Sequence, residues 1–172
     1  MAKVERKFLA HYLNAALAAE ATALYYRLGK DLEEYNVEMS ATVDKKKNII
    51  GESSINVSSY ETSSSVEPYY ADEDDDLFDF LQDIVDNRKV LDDVRTDAVE
   101  VHLWEPVSTE ESETQYVAYK ETAYVEVTSY GGDSTGYQIK FNVHYQGDRV
   151  KGTFDLITKT FTADADKTTI TD

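Results

Sequence analysis

The sequence predicts a mainly β domain, an antiparallel β-sandwich or small barrel with one flanking α-helix at about residues 76–89. Several short runs alternate apolar and polar side chains, which is the period of a strand with one wet face. One apolar stripe at helical spacing interrupts those runs. One polar segment, about residues 44–62, is longer than a routine connection in a compact domain, so it is expected to be an irregular loop, functional or disordered.

At the N-terminus, Leu9, Leu13, Leu17, Ala21, Leu24 and Leu28 form a helical stripe, and alanines crowd residues 15–23. Local propensity alone predicts one helix from about Phe8 to Leu28. Next, Tyr35, Val37, Met39, Ala41 and Val43 alternate with Asn36, Glu38, Ser40 and Thr42, a strand. The long polar segment follows, with Lys45-Lys46-Lys47 as its densest basic island and Asn48-Ile49-Ile50 beside it. The helix is read from Leu77, Phe80, Leu81, Ile84 and Val85, its expected core face. Asp72-Glu73-Asp74-Asp75-Asp76 precede it and Arg88-Lys89 end it, matching the helix dipole at both ends.

Further strands are read at Val99–Leu103, Ala123–Val127 and Tyr137–Tyr145. Val150, Phe154 and Leu156 lie on one face of a last strand that Phe161 closes. Gly131-Gly132-Asp133 and Gln146-Gly147-Asp148 are read as the turns between them. Residues 163–172 are polar and read as a C-terminal tail.

The chain of 172 residues fits a single domain, 1–172, able to bury roughly 70% of its unfolded surface. It has no cysteine, which excludes disulfides and thiolate chemistry. Its formal net charge of −17 argues against ordinary nucleic-acid binding and against docking on anionic lipid. Residues 1–7 and the interrupted apolar stretch after them resemble neither a clean signal peptide nor a membrane span, so a cytoplasmic site of synthesis is expected. Thirteen tyrosines suit either a half-buried sheet or an extensive protein–protein surface.

No constellation requires catalysis. His11, His102 and His144 show no ligand spacing, and no nucleophile elbow or phosphate loop is present. The acidic run lacks the ligand alternation and central glycine of a calcium loop. No enzyme, metal or cofactor is expected.

A set of segments nonetheless occurs in a recognisable order. Arg27-Leu28-Gly29-Lys30-Asp31-Leu32-Glu33-Glu34 is followed by Lys45-Lys46-Lys47-Asn48-Ile49-Ile50-Gly51-Glu52. Then come Ser65-Val66-Glu67-Pro68-Tyr69-Tyr70-Ala71, Asp76-Leu77-Phe78, Ser129-Tyr130-Gly131-Gly132-Asp133 and Arg149-Val150-Lys151-Gly152-Thr153-Phe154-Asp155. From about Glu5 to Thr162 the chain resembles the major tail tube proteins of long-tailed, non-contractile (siphovirus-type) bacteriophages and prophages of Gram-positive bacteria.

The resemblance implies a sandwich or barrel with one helix, shared with contractile-tail and type VI secretion tubes. It implies homohexameric rings that stack into a virion tail, assembled in the host bacterial cytoplasm. A tape measure protein would fill the lumen, tail terminator and distal tail proteins would bind the ends, and double-stranded DNA would pass through at ejection. It also replaces the N-terminal helix by two strands, near Lys7–Leu13 and Leu24–Lys30, joined through residues 15–23.

Given that resemblance, Lys45, Lys46, Lys47, Asn48, Ile49 and Ile50 are the candidate ring-stacking loop, and Asp72, Glu73, Asp74, Asp75 and Asp76 a candidate acceptor. Glu34, Asn36, Glu38, Ser40 and Thr42 are the lumen candidates, with the rival placement on the tube exterior. A reading of another class stays open: a monomeric β-sandwich binding module, for instance carbohydrate-recognising, with exposed tyrosines.

Overall fold

The computed structural model describes residues 2–17, 22–107 and 113–164. Its strands are β1 (Leu9–Asn14), β2 (Tyr25–Leu28), β3 (Glu38–Lys47), β4 (Ser53–Tyr70), β5 (Arg95–Pro106), β6 (Gln115–Asp133), β7 (Gly136–Asp155) and β8 (Thr160–Ala163). One helix, α1 (Asp76–Asn87), separates β4 from β5. All strand pairs are antiparallel, in the order β2-β1-β5-β6-β7-β4-β3, with β8 added on β7.

Strand alternation lets neighbouring residues feed two separate cores. Leu13, Ala98, Ala123, Val125, Ile139, Phe141 and Val143 belong to the larger one, with Tyr35, Val66 and Tyr69. The helix closes that core with Leu77, Phe80, Leu81 and Ile84, and Val85 is buried beside them. Tyr12, Val99, Val101, Ala118 and Phe154, on the alternate positions, form the second core, with Leu156 and Phe161 packed against it. Burying a side chain of this size contributes about 1.5–3 kcal/mol, so the two faces together hold the sheet.

Four local expectations change in the structure. The N-terminal stripe is not the helix that local propensity predicts but the two strands that the resemblance implies. β1 and β2 pair from His11↔Leu28 to Asn14↔Tyr25, and β1 pairs with β5 along its other edge. A strand with a partner on each side satisfies its backbone and buries Ala10 to Leu13, which outweighs a propensity difference of a few tenths of a kcal/mol per residue. Asn14 starts the turn, because its Oδ1 accepts from the backbone N–H groups of Ala16 and Leu24 at 3.1 and 3.0 Å. Within the expected connection, residues 18–21 lie outside the described residues.

Second, Gln146-Gly147-Asp148 is not a turn. It lies inside β7, where the register jumps from Lys120↔Val150 to Thr122↔Gln146. Gly147 takes φ +85° in this bulge, a conformation that suits glycine. The extra residues aim Arg149 at Glu100 (3.2 Å) and Glu121 (2.8 Å), with its guanidinium over the Tyr119 ring. Gly131-Gly132-Asp133, by contrast, leads into the Asp133–Gly136 hairpin closing β6 on β7.

Third, residues 44–62 are not irregular chain. They are the outer part of a hairpin, from Lys47↔Ser53 to Met39↔Thr62. Serine-rich polar strands with both faces wet lack the alternation that marks a strand in sequence. Fourth, the helix ends at Asn87, and Arg88 caps it in the left-handed region while Lys89 N–H reaches the Ile84 carbonyl. Of the expected tail, Ala163 ends β8 and residues 165–172 lie outside the described residues. No described helix is long and apolar enough to cross a membrane.

Candidate assembly interface

β4 is shared between two structures. Its inner half, Ser63–Tyr70, pairs with β7 in the body of the sheet. Among the described residues its outer half pairs with β3 alone, and β3 pairs with no other strand. The outcome is a two-stranded arm with every residue of β3 exposed. Ten paired residues at about 3.3 Å each carry its tip roughly 30 Å from the body.

The arm has two unlike faces. Met39, Ala41, Val43 and Lys45 sit opposite Thr62, Tyr60, Val57 and Ile55. The large apolar residues of that face are each at least 46% exposed. Glu38, Ser40, Thr42, Asp44 and Lys46 sit opposite Ser63, Glu61, Ser59, Asn56 and Ser54 on the other face. A bulge makes this separation. In sequence Tyr60 is out of phase with Ile55 and Val57, and one extra residue, Ser58, restores the phase. Ser58 Oγ donates to the Thr42 carbonyl at 3.2 Å across the irregularity.

At the tip, Asn48 organises the turn. Its Oδ1 accepts from Ile50 N–H (3.2 Å) and Glu52 N–H (2.9 Å), and its amide donates to Glu52 (2.9 Å). Asn48 is thereby committed within the arm, and Ile49 and Ile50 project into solvent at 104% and 75% exposure. The tip thus presents an exposed apolar pair on an ordered turn beside three lysines.

The acidic run divides in the same manner. Asp75 is buried: its carbonyl accepts the first helical N–H groups, of Phe78 and Asp79. Its side chain does not cap the helix but accepts from Tyr26 Oη (2.9 Å) and Tyr69 Oη (3.0 Å). Burial and this carboxylate push both phenols well above the ordinary range. Lys30 Nζ lies 2.8 Å from Asp72, 3.6 Å from Asp75 and 4.0 Å from Asp31. The hydrogen bond from Lys30 holds the Asp72 carboxyl below the usual carboxylate range. Asp31, Asp72 and Asp75 are close enough together to hold a cation. The lysine ammonium already supplies the positive charge there. Of the candidate acceptors, only Glu73, Asp74 and Asp76 remain exposed.

Of the lumen candidates, Glu38, Ser40 and Thr42 share the polar face of the arm, and Glu34 and Asn36 lie before β3 and hydrogen-bond each other. The inner positions Tyr35 and Val37 pack against the large core, as alternation predicts. Met39, Ala41 and Val43 do not, because the body of the sheet ends where β4 leaves β7.

The histidines stand apart. His11 is buried on β1 with its ring 4.8 Å from Tyr35, and burial lowers its pKa to about 4. His102 lies between Glu100 and Glu105 and stacks on Trp104 at 4.4 Å. His144 contacts Glu126 at 2.7 Å. Sequence reasoning missed the apolar arm face and a groove beside the C-terminal end of α1. The out-of-phase Ile55, Val57 and Tyr60 were the available signal for the first.

No protein-family model matches the sequence, and no curated protein matches it. Solved structures do share its fold. A chain of the SPP1 tail tube, determined by solid-state NMR and cryo-EM, superposes with a TM-score of 0.60 at 17% identity, over 87% of this chain and 78% of that one. The chain has a tail tube fold. Chains of an extracellular contractile injection system, PVC, agree. One, from the sheath/tube terminator in the extended state, gives 0.52 at 9% identity, covering 88% of this chain and 97% of that one. Another, from the extended sheath–tube complex, gives 0.52 at 7% identity, covering 90% and 93%. At these identities the likeness is one of fold.

Proposed function

We propose that the chain is a structural subunit that polymerises into a tube, and not an enzyme. The arm carries this reading: a two-stranded projection with an uncovered apolar face, on a fold shared with the SPP1 tail tube. A free monomer gains nothing from ordering an apolar face in water, whereas burial against a copy stabilises it.

In this reading six copies form a ring and rings stack into the tail of a siphovirus-type phage of a Gram-positive host. Among the described residues the open sheet ends on β2, with four residues, on β3, with ten, and on β8, with four, and edge pairing between copies would close it. The arm reaches the neighbouring ring through Lys45–Ile50. The polar face at Glu38, Ser40 and Thr42 borders the lumen.

Six chains at −17 place about 100 negative charges on each ring. DNA carries about one charge per 1.7 Å, so an acidic wall lets it slide past without holding it. The tape measure protein occupies that lumen before DNA does, and terminator and distal tail proteins cap the ends.

Negative-stain electron microscopy of the concentrated protein across a salt series tests the proposal. Tubes or six-fold rings of constant diameter are the expected result, with assembly rising as salt screens the repulsion. Monodisperse single chains at every salt, with binding in a glycan screen, would instead favour a monomeric carbohydrate-recognising module; the exposed Trp104 stacked on His102 is the feature that would serve it.

A further inference from the structure

We propose that the groove between the C-terminal end of α1 and β6 receives the arm tip of a second copy. This rests on the reading of the chain as a self-assembling subunit and names the surface that reading leaves open.

The groove encloses about 430 Å3. Its apolar lining comes from Ile84 and Val85 of the helix, Val90 and Leu91 of the segment after it, and Val125 and Val127 of β6. Val90 and Leu91 are 63% and 81% exposed. Leu91 adopts φ +56°, an uncommon conformation for a large side chain, and stays in water while doing so. The charged residues that line the groove are Arg88, Lys89 and Glu126, and Asp86, Asp92 and Asp93 adjoin its lining residues in the chain. Both basic groups are engaged. Lys89 pairs with Asp83, and Arg88 donates to Tyr130 Oη at 2.9 Å with its guanidinium over the ring. Asp92 and Asp93 remain exposed.

The arm tip complements this site. It offers two apolar side chains, Ile49 and Ile50, on a turn already ordered by Asn48. Three lysines stand behind them, against Asp44 and Glu52. Apolar side chains enter an apolar groove while ammonium groups meet the adjoining carboxylates, an arrangement that sets register as well as affinity. A preformed tip binds with little ordering cost. The proposed acceptor is the helix exit, at Asp86, Asp92 and Asp93, rather than the acidic run before the helix, where Asp72 and Asp75 are engaged and Glu73, Asp74 and Asp76 stay exposed.

The absence of cysteine makes the test direct. Ile49→Cys and Leu91→Cys variants are mixed under assembling conditions and oxidised. Particles are counted by electron microscopy, and disulfide-linked dimers are read on a non-reducing gel. A mixture of Ile49→Cys with Thr158→Cys, in the exposed turn before β8, is the control. The expected result is a heterodimer at least tenfold above the control. Particles with no excess over the control would overturn the groove assignment and leave the tube reading standing. Neither particles nor cross-links would overturn both. A second arm uses charge exchange. Lys45→Glu, Lys46→Glu and Lys47→Glu chains should regain assembly when mixed with Asp86→Lys, Asp92→Lys, Asp93→Lys chains. Failure of rescue, with both variants folded by circular dichroism, also counts against the groove.

Discussion

Asp75 ties three elements together, and its removal should be costly out of proportion to its size. Its carboxylate accepts one hydrogen bond from Tyr69, fully buried on β4, and one from Tyr26 on β2, while its backbone starts α1. Asp75→Ala leaves two phenols without an acceptor. Hydrogen bonds to a charged acceptor are worth about 1.5–3 kcal/mol each. Tyr26 reaches partial solvent, so the lower half of the range applies to it, and the total is about 3–5 kcal/mol. For a domain of this length that is a fall in Tm of about 10 °C. The assay is thermal unfolding of dilute, unassembled protein by circular dichroism, with Tyr69→Phe and the double variant. Tyr69→Phe alone should cost about 1.5–3 kcal/mol. In the Asp75→Ala background it should cost nothing or restore stability, since it removes a stranded hydroxyl, giving a coupling of at least about 1 kcal/mol. Strict additivity, or a Tm shift below about 2 °C for Asp75→Ala, would refute the account of Asp75 as a hub.

Other outcomes follow from the same structure. Burial lowers the pKa of His11 from 6.5 to about 4, so the fold prefers the neutral ring. The stability this gives is fully present above about pH 6.5, is lost as pH falls towards 4, and amounts to about 3 kcal/mol. His11→Gln should flatten that acid limb in a denaturant series run at stepped pH, and an unchanged limb would count against it. Burial raises the phenols of Tyr12, Tyr35, Tyr69 and Tyr145, so their contribution is complete below pH 10 and is lost as pH rises above it. Alkaline unfolding monitored at the tyrosinate absorbance should begin only as the fold opens. A Cβ on Gly152 would meet the Thr162 carbonyl at 2.2 Å and Phe161 Cζ at 2.7 Å. Gly152→Ala should therefore detach β8 and increase protease cleavage near Phe161, with loss of at least about 2 kcal/mol of stability from the second core. Lys45→Glu, Lys46→Glu and Lys47→Glu together should abolish tubes in electron microscopy while the unfolding curve stays within about 0.5 kcal/mol, because every one of these residues is exposed. Normal tubes from that variant would remove the arm's assigned role.

Much of the strand content is legible because a strand with one buried face writes its period into adjacent residues. Tyr137 to Tyr145 and Ala123 to Val127 show it, and both fall within β7 and β6. The helix is legible for the same reason: Leu77, Phe80, Leu81, Ile84 and Val85 are spaced for one face, and that face is buried. The arm is only half legible. Its length and composition stand out, but its strands have no buried face, so no period marks them.

Local composition therefore determined the class of the fold, the position of its helix and the presence of one long polar excursion with a basic, isoleucine-bearing tip. The tertiary structure alone decided the rest. Residues 9–14 are a strand because β2 and β5 flank them, although their own sequence favours helix. Gln146-Gly147-Asp148 became a bulge because β6 continues straight past it. Ser58 slipped the register so that Ile55, Val57 and Tyr60 share a face. Asp72 and Asp75 were taken out of the exposed acidic surface by Lys30, Tyr26 and Tyr69, and the groove at the helix exit exists only where α1 lies on β6. The physical reason is range: periodicity and turn chemistry act between near neighbours in the chain, whereas strand partners, charge partners and cavities are settled between residues tens of positions apart.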